Sequence, residues 1–215
     1  MRNLLTTAFV LALTGAAAPL ALAQDKDKDG FTPLFNGKDF TGWQTIVAGK
    51  DTDPAKVWAI KDGVIQTIST PNGYFYTDKS YKNFVLRYDW MYPQEQPKNS
   101  SMNSGLLLHI QGQHKIWPKC IEAQGRLMDH GKVFALGGAK ASDVKFNADA
   151  HKTAVKPQGE WNTTEVTAKS DGTIIVKING IEVASCKSDL VEGPFGFQAE
   201  GAYIHFKNIR LKSLD

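Results

Sequence analysis

Glu122 and Gln124 stand two apart in a short segment, Trp117 to Asp129 (WPKCIEAQGRLMD), that reads as a strand. Strand side chains two apart point the same way, about 6–7 Å from one another. Cys120, Glu122, Gln124 and Arg126 are therefore expected to form one polar row, with Ile121 and Ala123 turned toward the opposite layer. A row of acid, amide and cation is costly to cover with protein, because buried charge needs partners. It fits a wet cleft that holds a polar ligand. The competing reading is a solvated outer face of paired charges.

The elements that must position this row are strands joined by tight turns. Phe84 to Tyr92 (FVLRYDWMY) alternates, with Phe84, Leu86, Tyr88, Trp90 and Tyr92 on one face and Arg87 and Asp89 on the other. Ser104 to Gln111 (SGLLLHIQ) places Leu106, Leu108 and Ile110 on one face and Gly105, Leu107 and His109 on the other. Asp62-Gly63, Asp171-Gly172 and Asn179-Gly180 are hairpin turns between apolar alternations. Phe195 to Leu214 gives two strands broken at Glu200-Gly201, with Gln198 and Glu200 sharing one face. Helical periodicity of useful length is absent after the N-terminal segment. The pattern predicts an all-β, single-domain sandwich or jelly roll whose two sheets share one core. Leu136 to Gln158 is the exception: long, polar and expected to be irregular, as loops bordering a site often are.

Residues 1–23 read as a secretory signal peptide, with Arg2 at its positive start, an apolar run from Leu4 to Leu20, and Ala21-Leu22-Ala23 as the small-x-small cleavage pattern. Gly15 and Pro19 interrupt that run, so no stable transmembrane segment is expected, and the mature protein is expected to be secreted or periplasmic. Residues 24–30 (QDKDKDG) read as a flexible, charged leader. Its D-x-D-x-D-G start of a calcium loop lacks the closing Glu, since Asn36 stands there. Residues 31–215 then form one domain. A formal charge of +3 is too weak to imply nucleic acid or an anionic membrane. The two cysteines, Cys120 and Cys186, could pair or leave a free Cys120 thiol beside Glu122. Oligomeric state is not legible.

Four segments resemble one bacterial family: Leu34 to Trp43 (LFNGKDFTGW), Asn103 to His109 (NSGLLLH) leading to Ile121-Glu122-Ala123-Gln124, Gly159 to Glu165 (GEWNTTE), and Phe195 to Leu211 (FGFQAEGAYIHFKNIRL). In this order they resemble the 3-keto-disaccharide hydrolase family. The resemblance implies a concanavalin A-like lectin/glucanase jelly roll in an exported protein that cleaves glycosides whose glucose C3 is a ketone. The chain departs from the family's usual pattern at Gly125-Arg126, at His109 and at Glu200-Gly201.

Retaining glycosidases need two carboxylates about 5–5.5 Å apart, and the row Glu122, Gln124, Arg126 lacks the second. A 3-keto sugar offers another route, because the ketone acidifies the C2 hydrogen. One base can remove it, and the group on C1 leaves by β-elimination, with later addition of water. Such a site needs a base, a cation or metal facing the enolate oxygen, and a proton donor for the leaving oxygen. Glu122 is the candidate base. Arg126 or Lys115 could hold the oxyanion. His109 could be the acid, or could share a divalent cation with Glu122, the only cofactor considered. His114, His130 and His151 could add ligands, although no metal spacing is recognisable. Gln124, Asn103, Lys115, Trp117 and Gln198 are the candidate contacts to a small carbohydrate, Trp117 by stacking on a sugar face. The alternative function is a non-catalytic carbohydrate-binding or envelope interaction module, since fold does not fix function.

Overall fold

Burial alternates residue by residue along Phe84–Met91, and that alternation sets the architecture. The computed structural model describes residues 26–68 and 70–215; the expected signal peptide, residues 1–23, and the first two residues of the leader lie outside them. Nine strands form one sheet. Eight lie in the spatial order Ala141–Phe146, Ile181–Ser188, Thr173–Ile178, Asn162–Ala168, Phe84–Met91, His205–Ser213, Val64–Thr67 and Trp58–Lys61, and Thr32–Pro33 pairs with His205–Ser213. Six strands form the facing sheet, in the order Val133–Leu136, Lys119–Gln124, Gly105–Gln111, Gly196–Ala199, Gly73–Thr77 and Trp43–Val47, and Tyr81–Lys82 pairs with Glu192–Gly193 in a separate two-stranded ribbon. Neighbouring strands in both sheets run antiparallel. The chain crosses repeatedly from one sheet to the other, giving a jelly-roll sandwich.

Apolar residues from the two inner faces interlock between the layers. Phe197 of the six-stranded sheet meets Tyr88 and Phe206 of the nine-stranded one, with ring centroids 4.9 and 5.0 Å apart. Ile121 and Ala123 belong to this core, so Glu122 is turned to the outer face, as their alternation requires. Arg87 and Asp89 face away from the core on the nine-stranded sheet, Arg87 pairing with Glu165 at 2.7 Å and Asp89 accepting from Thr163 at 2.7 Å. Asp62-Gly63 and Asn179-Gly180 turn with positive φ at both residues, the geometry that a two-residue hairpin favours.

Two expectations need correction, and one open alternative is decided. Leu136 to Gln158 is not irregular: it holds the strand Ala141–Phe146 and the helix Ala148–Ala154. The strand shows no buried face and hence no period of two, and the helix is only seven residues long, so neither left a periodic signal. Asn147 caps the helix by accepting from the Ala150 N–H at 2.9 Å. The leader does not run free over residues 26–30, because Asp29 reaches Arg87 at 3.3 Å and Asp27 reaches Arg210 at 3.6 Å. Finally, Cys120 and Cys186 are both free and buried. Cys186 lies in the core between the sheets, while Cys120 lies in a separate cluster with Tyr74, Leu107 and Ile110 on the outer face.

Candidate active site

Pairing register brings the expected polar residues together on the outer face of the six-stranded sheet. Gly105 is the cross-strand partner of Gln124, Leu107 of Glu122, and Gly196 of Leu107. Gln198 lies one step along from Gly196 on the same face, and its own partner is Tyr74. Gly105 supplies the room. A Cβ there would collide with Oε1 of both Gln198 and Glu122, so the two side chains converge above this glycine. Ser104 fixes the Gln198 backbone by donating its hydroxyl to the Gln198 carbonyl at 2.8 Å.

Glu122 is only 7% exposed, and its carboxyl has no hydrogen-bond or ion-pair partner among the described residues. Desolvation, and then the negative charges of Glu200 and Asp129, push its pKa up to about 7. Gln198 is 1% exposed, and both polar atoms of its amide are buried without a partner, as is Oδ1 of Asn103. Buried polar groups are rarely left unpaired in a native fold, so an unpartnered amide beside an unpartnered carboxyl is an arrangement that can take up a polar ligand or water. Glu200 follows Gln198 by two residues and is half-buried, with its own carboxyl pushed up to about 7 by desolvation. Glu200 stands just past the strand Gly196–Ala199, and its charge reaches Glu122.

Gln124 and Arg126 point differently from the expected row. The Gln124 carbonyl oxygen accepts from the backbone N–H groups of Gly125 and Arg126, at 2.8 and 3.0 Å, leaving its NH2 for a ligand. The strand ends at Gln124, and Arg126 instead begins the short 3-10 turn Leu127–Asp129. Its guanidinium clasps Asp129 through two bonds, 2.8 and 2.7 Å long, and forms no bond with Glu122. Arg126 thus acts on the site only through Asp129.

His109 is on the wrong face for either of its expected roles. Its φ is +54°, and the register slips between Leu108 and Gln111, the signature of a β-bulge. The extra residue reverses the alternation. Ile110 joins the outer-face cluster, while the imidazole turns edge-on to Phe84 in the core, 5.8 Å away, with Nδ1 3.0 Å from the Leu190 carbonyl. The expected His109–Glu122 cation pair is therefore not formed, and among the described residues no group of three His, Cys, Asp or Glu could hold a metal ion. His130 is a core residue, stacked on Trp90 at 3.8 Å, and His151 is buried in the helix Ala148–Ala154.

Lys115 and Trp117 are exposed on the loop between Gly105–Gln111 and Lys119–Gln124, Trp117 by 42%. Neither side chain contacts Glu122. What holds this loop was missed from sequence: His114 stacks on Tyr76 at 4.1 Å, and its Nδ1 lies 3.0 Å from the Tyr74 hydroxyl. Phe134 was missed too. It is the half-buried cross-strand partner of Glu122, with the Lys132 ammonium 5.4 Å from its ring centroid. Only pairing register reveals these neighbours. Cavities of about 300 and 450 Å³ lie elsewhere, the larger between Leu127, Phe146 and His151, and neither is lined by Glu122 or Gln198.

Residues 30–212 match the model of the 3-keto-alpha-glucoside-1,2-lyase-like domain family. A 3-keto-disaccharide hydrolase of Bacteroides thetaiotaomicron is 25% identical over 243 aligned positions, covering 88% of this chain and 80% of that protein. A solved structure from Parabacteroides distasonis, described as a candidate glycosyl hydrolase, is 27% identical with a TM-score of 0.60, covering 87% of this chain and 95% of that one. The β-glucanase of Bacillus licheniformis shares the fold alone, at 13% identity and a TM-score of 0.52, over 87% of this chain and 100% of that one.

Proposed function

This chain belongs to the 3-keto-alpha-glucoside-1,2-lyase-like family, and from that premise we propose that it is an exported enzyme that cleaves 3-keto-glycosides at the glycosidic bond, by elimination with or without rehydration. The observation that carries this reading is the Glu122 carboxyl. It is almost buried, poised near neutral pH, and aimed with the unpartnered Gln198 amide at the space above Gly105. A general base is most effective when its pKa lies near the working pH. The name of the B. thetaiotaomicron relative supports the substrate class. The signal-peptide pattern of residues 1–23 supports export.

Glu122 takes the C2 proton that the adjacent ketone has acidified. Gln198, Asn103 and the free NH2 of Gln124 bind and orient the sugar hydroxyls and the C3 oxygen, where charge develops. Desolvation of Glu122 keeps water from competing for its lone pairs.

The test is incubation of purified protein with 3-keto-trehalose and with unoxidised trehalose, each with and without chelator. Release of the second sugar from the ketone alone is the expected result. Glu122→Gln keeps the shape and lowers kcat by about 10²–10⁴. Equal cleavage of unoxidised trehalose would instead identify an ordinary glycosidase using both carboxyls. Sugar binding without turnover would identify a binding module.

A further inference from the structure

Gln198 belongs to the strand Gly196–Ala199 and stands on the side of Glu122, and Glu200 follows just past the end of that strand, where its charge reaches Glu122. Gln198 reaches back over Gly105 to the Glu122 carboxyl. Extending the antiparallel register of Gly196 with Leu107 sets Glu200 opposite Asn103, at the end of the sheet where the strand Gly105–Gln111 begins. Glu200 is half-buried, and neither its carboxyl nor that of Glu122 has a hydrogen-bond or ion-pair partner among the described residues. Asn103 Oδ1 and the whole Gln198 amide are also unpartnered, and Gln198 is 1% exposed. A solvated surface acid would have neither this burial nor these orphaned neighbours. The nearest other charges are accounted for, since Arg126 is committed to Asp129. Glu122 and Glu200 feel each other electrostatically, so ionising one favours keeping the proton on the other.

Building on the reading of Glu122 as the base at C2, we propose that Glu200 is the proton donor to the departing glycosidic oxygen. In the step, Glu122 takes the proton from C2 and the electrons of that C–H bond pass through the enolate into a C1=C2 double bond. The C1–O bond breaks, and its oxygen takes the proton of Glu200. The products are an unsaturated 3-ketone and a free alcohol. One carboxyl gains a proton and the other loses one, so no oxidant or co-reactant is required. The pair resets when Glu122 gives its proton to solvent and solvent returns one to Glu200.

The experiment compares Glu200→Gln with the wild type on two substrates that differ only in leaving group: 3-keto-trehalose, whose sugar alkoxide needs a proton, and 4-nitrophenyl 3-keto-α-glucoside, whose phenolate does not. Turnover of 3-keto-trehalose is expected to fall by about 10²–10³, while that of the nitrophenyl glycoside stays within about fivefold. Exchange of the C2 hydrogen of 3-keto-trehalose with solvent deuterium, a task of Glu122 alone, is expected to persist in Glu200→Gln and also shows that the variant is folded. Equal losses on both substrates, no loss on either, or loss of the exchange would each overturn the role of Glu200 while leaving Glu122 in place. A wild type inactive on both substrates would overturn the elimination reading and this inference together.

Discussion

Arg126 holds Asp129 in a two-bond clasp, 2.8 and 2.7 Å, and the negative charge so neutralised is one that pushes the Glu122 pKa up. Arg126→Ala removes the main cation from Asp129, so the Glu122 pKa moves further upward. The base limb of the kcat/KM pH profile is expected to shift up by as much as about one unit, with kcat at pH 8 to 9 changed by less than about fivefold. A cation facing the enolate oxygen would instead cost about 10²–10³ in kcat at every pH. A full pH profile of the variant distinguishes the two.

Gly105→Ala inserts a methyl where Glu122 and Gln198 converge. Both obstacles are the ends of flexible side chains, so the fold is expected to survive, at a cost of about 1–3 kcal/mol. The carboxyl is displaced, and turnover is expected to fall at least about 10²-fold. Far-ultraviolet circular dichroism like that of the wild type, together with lost activity, is the expected pair of results. Unchanged activity would mean that substrate does not use this spot.

Glu122 also makes stability depend on pH. Its folded pKa, about 7, exceeds the unfolded value of 4.5, so the native state holds a proton that the unfolded chain has lost between those values. Stability therefore falls as pH rises through about 4.5 to 7. Glu122→Gln removes this loss, and above pH 7 the variant is expected to be more stable than the wild type by up to about 3 kcal/mol. Urea unfolding at pH 5 and pH 8 measures it; an advantage at pH 5 equal to that at pH 8 would contradict it.

His130 carries the opposite sign. Burial drives its pKa from 6.5 down to about 3, while it stacks on Trp90 and bonds to Gly125 and Thr164 at 3.1 Å. The unfolded chain takes up the proton first as pH falls, so this residue costs stability progressively between about 6.5 and 3. His130→Ala leaves a cavity and unpaired groups and is expected to destabilise by about 2–4 kcal/mol at pH 7, with a smaller deficit at pH 4.5. Thermal unfolding at both values checks the trend.

Clean alternation was legible: Phe84 to Tyr92, and Ile121 and Ala123 against Glu122, fix the layers and the face on which Glu122 stands. The face of Gln198 was legible by the same rule. His109 was misplaced because one residue in a left-handed conformation reverses a period of two, and nothing in GLLLHIQ announces it. Arg126 was misplaced because the strand stops two residues earlier, where Gln124 folds its side chain back on its own turn. The roles of Gly105, Phe134 and the Tyr74–His114–Tyr76 clasp depend on which strands pair and in what register, information that is spread along the chain.

The outermost strand of the nine-stranded sheet, Ala141–Phe146, breaks its ladder between Ser142 and Lys145, with Asp143 at φ +51° and largely exposed side chains. A free strand edge is a template on which another molecule's backbone can add, and a kinked, charged one is a poor template. The same irregularity that hid this strand from pattern reading thus makes its edge a poor template for pairing between chains. Straightening it with β-branched apolar residues would trade solubility for fibre growth.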